Sequence, residues 1–402
     1  MRISTQSFYE QSQAAMSSQQ SSLLRVQQQV GAMTKILAPS DDPIGSTRAL
    51  GVSQSIALNA QYAASRGQAT HTLSLEENAL QSVTAILQNI KGLVVEAGNG
   101  TMSDADRATI ATTLQSNFDQ LQGLANTDDG NGQFLFAGFK SGSPPFVTAG
   151  GSVQYVGDQG QRLVQVDVTR QMAATDDGCS VFQTVQGGAG YVTASAAANT
   201  GSGVFSANSV VDPTDPNYGK DFVISFTAPG TYQVDTAAVP PVSILPATAY
   251  TAGSPITFGG VQISISGAPA AGDTFTVSTA KNAGTDMFGA IGDIVAALKK
   301  PLNTDADRAQ LLNALSTGNK KITNAHDNVL TVRSSIGSRL NEIDALGTTG
   351  DSRTLYDKSL LSDLQDLDYA SAISEFYQRQ TALQATQQVF VKVQQISLLN
   401  YL

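Results

Sequence analysis

Residues 9–37 place apolar side chains every seven positions, at Tyr9, Met16, Leu23, Val30 and Leu37, with Ser12, Gln19, Val26 and Met33 at the companion position. The alternating 3–4 spacing predicts a helix with one narrow seam, as in a coiled coil. That helix must stop at Ala38-Pro39-Ser40-Asp41-Asp42-Pro43, where two prolines and short polar residues favour a turn. Between prolines, Asp41-Asp42 reads as a turn or helix cap rather than a cation ligand. Helical spacing resumes from Ile44 to about Ala97, and Ser103 with Asp106 opens a third helix reaching about Asn126. Thr304-Asp305-Ala306-Asp307 repeats that start signal, and Asp-Ala-Asp-Arg occurs both at 104–107 and at 305–308. A helix is expected from there to about Leu346, with a break at Gly347-Thr348-Thr349-Gly350 and a last helix to the end.

The last helix resembles the first. Phe376, Leu383 and Phe390 recur every seven residues, while Ile373, Gln380, Gln387 and Gln394 fill the companion position, so half of this seam is expected to be polar. Val393 and Ile396 extend the apolar stripe. Burying a single seam does not offset the cost of ordering so many backbone positions, so these helices need partners on more than one face. Two readings follow from the pattern: the ends pair within one chain, or they are buried only when many copies assemble.

The middle of the chain changes period. Val164–Val168, Phe222–Phe226 and Val261–Ile265 alternate apolar and polar residues, and residues 141–280 hold ten of the 13 prolines and half of the 36 glycines. That predicts an antiparallel β domain with many turns. The expected fold class is therefore α+β: a long antiparallel helical bundle formed by the N- and C-terminal halves, with an inserted antiparallel β domain. The expected division is a coiled-coil assembly helix at 1–44, the first half of a helical rod at 45–140 ending in a β-hairpin, a β-rich outer domain at 141–280, the second half of the rod at 281–350, and a C-terminal helix at 351–402 whose end belongs to the coiled-coil assembly core.

Charge sharpens this picture. Only 14% of residues are charged, and the net charge of −10 argues against nucleic acid or an anionic membrane as partner. The insert holds nine Asp against Arg162, Arg170 and Lys220, which suits a solvent-facing domain. The terminal helices are almost uncharged, with eight Gln in the first 40 residues and seven in 369–402, so their outer faces can be buried too. No run approaches the ~18 apolar residues of a membrane span, and the N-terminus has no apolar core of a cleavable signal. Cys179 is the single cysteine and reads as a small hydrophobe. His71 and His326 have no zinc-helix spacing, and neither a phosphate loop nor a Gly-x-Ser-x-Gly elbow occurs. No enzyme, cofactor or metal site is expected.

Several stretches together resemble a known family. MRIST opens the chain and PSDDP occupies 39–43; GNGQFLFAGFKSGSPPF lies at 130–146 and SGAPAAGDTFTV at 266–277; RSSIGSRLNEID lies at 333–344, and LDYASAISEFYQRQTALQATQQVFVKVQQISLLNYL closes the chain. In order and spacing these are similar to the flagellar hook-associated protein 3 family, hook–filament junction proteins related to flagellin. The resemblance implies a structural protein exported by the flagellar type III apparatus to the extracellular hook–filament junction. Its implied partners are copies of itself, hook-associated protein 1 on the hook side, flagellin on the filament side, and a cytoplasmic export chaperone at the C-terminal helix. It also implies that the terminal helices form the coiled-coil core of a tube, which favours burial on assembly. Flagellin itself, or another axial protein, is the alternative; against flagellin, Asp41-Asp42-Pro43-Ile44-Gly45 replaces the usual Asp-Asp-Ala-Ala-Gly stretch. An enzyme or adhesin on a coiled-coil stalk is the third reading, and it has no candidate catalytic residue.

Overall fold

The computed structural model describes residues 5–399; for residues 5, 6, 8 and 393–399 it describes the backbone alone. Three helices come first, α1 (Thr5–Ala32), α2 (Pro43–Ala97) and α3 (Asp104–Ala125). The hairpins β1 (Phe146–Ala149) with β2 (Ser152–Tyr155) and β3 (Leu163–Asp167) with β4 (Arg170–Ala173) follow, then the short α4 (Gly178–Phe182). Nine strands come next: β5 (Tyr191–Ser195), β6 (Val204–Phe205), β7 (Ser209–Val210), β8 (Phe222–Ala228), β9 (Thr231–Thr236), β10 (Ser243–Ala249), β11 (Pro255–Phe258), β12 (Val261–Ser266) and β13 (Thr274–Thr279). The chain closes with α5 (Met287–Leu298), α6 (Asp305–Gln365) and α7 (Tyr369–Leu399). This is the α+β arrangement that the change of period predicts, and the three alternating stretches fall on β3, β8 and β12.

Both predicted start signals are built as capping boxes. The Asp106 N–H donates to Ser103 Oγ (3.2 Å) while the Ser103 N–H donates to Asp106 Oδ2 (3.1 Å). Thr304 and Asp307 exchange the same pair of bonds at 2.8 and 3.1 Å. These bonds hold both aspartates below the ordinary carboxylate range, the hydroxyl bond being the largest cause in each case.

The expected break at 347–350 is absent, because α6 runs through it to Gln365. Two glycines cost a helix about 1 kcal/mol each. Here the hydroxyls of Thr349, Ser352 and Thr354 bond back to the carbonyls of Ala345, Thr348 and Gly350, so they do not draw the backbone into a turn. The chain leaves helical geometry instead at Asp366–Asp368, between α6 and α7.

The chain divides into two units, residues 1–64 with 345–402, and residues 65–344. In the larger unit, Leu73, Leu80, Leu87 and Ile90 of α2, Leu114 and Leu121 of α3, Ile291 and Ile294 of α5, and Ile322, Val329 and Ile336 of α6 are buried. The helices are cross-tied by Arg333 on α6, which donates to Glu77 (2.6 Å) and Thr84 (3.3 Å) on α2. An aromatic cluster joins rod and insert. Phe182 meets Phe136 and Phe146 edge-on at 5.1 and 5.3 Å, and Phe146 and Phe118 reach Phe288 at 5.3 and 5.7 Å.

Residues 191–279 form a lobe with its own core. A five-stranded antiparallel sheet, ordered β10-β9-β8-β13-β5, shares Phe222, Ile224, Val234, Phe275 and Val277 with Ile256, Val261, Ile263 and Ile265 of the β11–β12 sheet. Entry and exit are adjacent, since Tyr191 pairs with Thr279 and the Ala280 N–H donates to the Gly190 carbonyl at 2.9 Å. Polar side chains of α6 hold the lobe. Asn313 bonds the Phe205 N–H (3.1 Å) and the Gly203 carbonyl (2.9 Å), and Thr317 donates to the Thr193 carbonyl at 2.7 Å.

Candidate assembly surface

In the smaller unit α1 lies along α7, so the ends do meet within one chain. Among the described side chains of α1, Ser12, Met16, Gln19, Leu23, Val26 and Val30 of the expected seam are half-buried or buried, and Ser22 and Gln29 beside them are half-buried as well. Val26 is the one fully buried member, at 5% exposure. Tyr9 stacks obliquely on Phe390, ring centroids 5.3 Å apart, yet remains 46% exposed.

The last predicted turn of α1 is not helical. The helix ends at Ala32, Met33 takes a left-handed φ of 56°, and Met33 and Leu37 are exposed in the loop beyond. A non-glycine residue in that region ends a helix as a glycine would, at some strain.

On α7 the predicted Ile373, Phe376, Leu383 and Phe390 are half-buried, but the companion positions are shifted by one residue. Buried Ala372 and half-buried Arg379 and Thr386 fill them, while Gln380 and Gln387 face outward. Among the described side chains this face of α7 is mostly apolar, with Ala372, Ile373, Phe376, Ala382, Leu383 and Phe390 against two polar members, Arg379 and Thr386, so the expected half-polar seam of glutamines is not what faces inward. Val393 and Ile396 have side chains outside the described residues.

Prolines and aspartates explain the loop between α1 and α2. Asp41 Oδ2 accepts the N–H groups of Leu37 and Ala38, each at 3.1 Å, and its Oδ1 lies 3.1 Å from the Arg25 guanidinium. Asp42 caps α2, its Oδ1 accepting the Gly45 N–H at 2.9 Å. A Cβ on Gly45 would lie 2.3 Å from Asp42 Oδ2, so a side chain there would push the capping carboxylate from its present position. Turn and cap account for both carboxylates. Arg25, one of four charges near the N-terminus, anchors the turn, a role that hydropathy does not signal.

What this unit leaves exposed sets it apart. Among the described residues, 24 large apolar side chains are exposed, and 13 of them belong to this smaller unit. Among its described residues the buried hydrophobics are Val26, Ala49 and Ala372. Ile44 (69%), Leu50, Leu58, Leu355 (72%), Tyr356, Tyr377 and Val391 present apolar surface on several helix faces. The α2 and α6 members give no seam signal in the sequence, because their apolar residues do not recur on one stripe. Exposed apolar surface of this extent marks interaction sites. By contrast, the described residues contain no group of three or more His, Cys, Asp or Glu that could hold a metal ion, and no helix long and apolar enough to cross a membrane. Cys179 is half-buried on α4, with the Gln159 amide 3.4 Å from its sulfur.

Helical ends that expose their apolar faces, flanking an inserted β lobe in the sequence, define a flagellin-like structural protein. Residues 3–141 match the bacterial flagellin N-terminal helical region, and residues 319–402 match the C-terminal helical region. The chain is 31% identical to flagellar hook-associated protein 3 of Escherichia coli (strain K12) over 399 residues, covering 99% of this chain and 98% of that one. It has the same identity and coverage with the protein of that name from Salmonella typhimurium. Solved structures are similar as well. FlgL of Xanthomonas campestris is 30% identical over 77% of this chain and 99% of that one (TM-score 0.69). Hook-associated protein-3 of Legionella pneumophila is 27% identical over 78% and 98% (TM-score 0.71). The chain belongs to the flagellar hook-associated protein 3 family.

Proposed function

We propose that this protein is a structural adaptor at the junction of the bacterial flagellar hook and filament, self-assembling through its terminal helices so that flagellin can polymerise on it. The observation that carries this is the concentration of exposed apolar side chains in 1–64 and 345–402. One chain pairs α1 with α7 and still leaves most of that surface in water, so copies of the same chain are the natural cover. On this reading the protein is exported by the flagellar type III apparatus and stands outside the cell, between hook-associated protein 1 and flagellin. It works by packing and has no catalytic role. Before export, an amphipathic helix such as α7 suits the groove of a small cytoplasmic chaperone.

Electron microscopy of a deletion strain tests the reading. Intact hooks without filaments, with flagellin monomers in the medium, are expected. Normal filaments in the deletion strain would overturn it, and loss of filament subunits themselves would favour the flagellin alternative.

A further inference from the structure

Glu76 sits on α2 in the larger unit and is completely buried. Its Oε1 accepts the Asp176 N–H at 3.2 Å, while Oε2 is shut off from solvent with no protein partner. Asp176 belongs to the segment between β4 and α4, and its carboxylate forms an ion pair with Arg339 of α6. Arg339 also donates to the Ala173 carbonyl at 3.0 Å. Three elements thus meet around two carboxyl groups and one guanidinium. The neighbouring charges are already committed: Glu77 is paired with Arg333 at 2.6 Å, Arg170 with Glu342 at 2.5 Å, and Asp177 caps α4 by accepting the Ser180 N–H at 2.9 Å.

One guanidinium facing a fully buried carboxylate, Glu76, and a half-buried one, Asp176, leaves one negative charge uncompensated, which a low-dielectric interior does not tolerate. A proton on Oε2 of Glu76 removes that charge. We propose that Glu76 stores a proton that latches the 174–177 segment between α2 and α6, and that the latch loosens as pH rises. Burial, and next the Asp176 carboxylate, push the Glu76 carboxyl well above its ordinary range.

The direction follows from linkage. Above the ordinary carboxyl range the unfolded chain has released this proton and the folded chain still holds it. Each unit of rising pH therefore raises the unfolding constant by up to about tenfold, until the folded group also ionises. Beyond that point the penalty is constant. Locally, the segment leads directly into α4, whose Phe182 fills the aromatic cluster and whose Ser180 and Val181 carbonyls are held by Asn328, each at 2.8 Å. Loosening Asp176 is thus transmitted to the base of the insert.

Urea denaturation of the full chain and of E76Q across about pH 5 to 9 tests the latch, because glutamine keeps a donor and carries no charge. The wild-type unfolding constant should climb with pH and E76Q should remove that slope. Amide exchange at 174–182, corrected for its intrinsic pH dependence, should accelerate with pH in wild type alone. Equal slopes in both chains overturn the proposal. If E76Q does not fold, the wild-type chain decides, since it contains only six glutamates and their labelled carboxyl carbons can be followed individually. One glutamate still protonated near pH 7 supports the latch, and six that all titrate in the ordinary range of about 4 to 5 refute it.

Discussion

Thr34 and Asp366 form an isolated antiparallel bridge at the level where both helical runs are interrupted. The Lys35 N–H donates to the Gln365 carbonyl (2.9 Å) and the Leu367 N–H to the Met33 carbonyl (3.2 Å). Backbone groups freed by two helix ends thus satisfy each other, as buried or half-buried backbone must. The α1–α7 pair is joined to the rest of its unit through this crossing and through the loop that Asp41 organises.

Asp41→Ala should therefore loosen the joint more than Arg25→Ala does. The first leaves the Leu37 and Ala38 amides without an acceptor, a loss of about 1 kcal/mol. The second removes an exposed ion pair worth under about 1 kcal/mol. Amide exchange at 33–42 should rise clearly in D41A and slightly in R25A. Equal effects would show that the ion pair, and not the turn, holds the loop.

Because so little of the α1–α7 pair is buried, amides of 10–32 should exchange orders of magnitude faster than those of 73–94 in the isolated chain. The first stretch buries Val26, whereas the second buries Leu73, Leu80, Val83, Leu87, Ile90 and Val94. Comparable protection at low concentration would mean that the pair is stable alone, and that assembly is not what secures it.

The insert is expected to be separable at 191–279 and not at 143–279. Gly190 and Ala280 are hydrogen-bonded neighbours, so a short Gly/Ser linker closes the smaller excision without moving the rod. The larger excision removes Phe146 and Phe182 from the aromatic cluster, and losing one such ring costs about 3–5 kcal/mol. Thermal melts should show a folded rod for the first variant and a collapsed or aggregated one for the second. Export and filament growth supported by the first variant would make the lobe an ornament of the junction; bare hooks would make it part of the joint.

The contrast between these excisions shows where sequence reading reaches its limit. Strand and helix types were legible because period and capping chemistry are local, as at Ser103-Asp106 and Val261–Ile265. Part of the α1 seam was legible, because Met16, Leu23, Val26 and Val30 keep an apolar heptad spacing, but its end at Met33 and Leu37 was not. The α7 companion positions were not, since Ala372, Arg379 and Thr386 give no hydropathy signal and are chosen only by the partner helix. Composition placed Phe146 and Phe182 with the β-rich insert, but aromatic packing is a long-range choice, and they face Phe288 and Phe136.

The α7 stripe should serve both before export and after it. Leu383 and Phe390 are half-buried on α7, with Phe390 meeting Tyr9 of α1, so on the proposed function a chaperone that first holds α7 must later yield the same face. Burying a Leu or Phe is worth about 1.5–3 kcal/mol, and each 1.4 kcal/mol changes an affinity tenfold. Replacing Leu383 and Phe390 together with Asp adds the cost of desolvating two charges. The double variant should bind the export chaperone at least about a hundredfold more weakly, and when exported it should fail to join the hook. Calorimetry with the chaperone and a polymerisation assay read the two roles separately. Unchanged chaperone affinity with lost assembly would confine the stripe to the tube and place chaperone recognition on another segment.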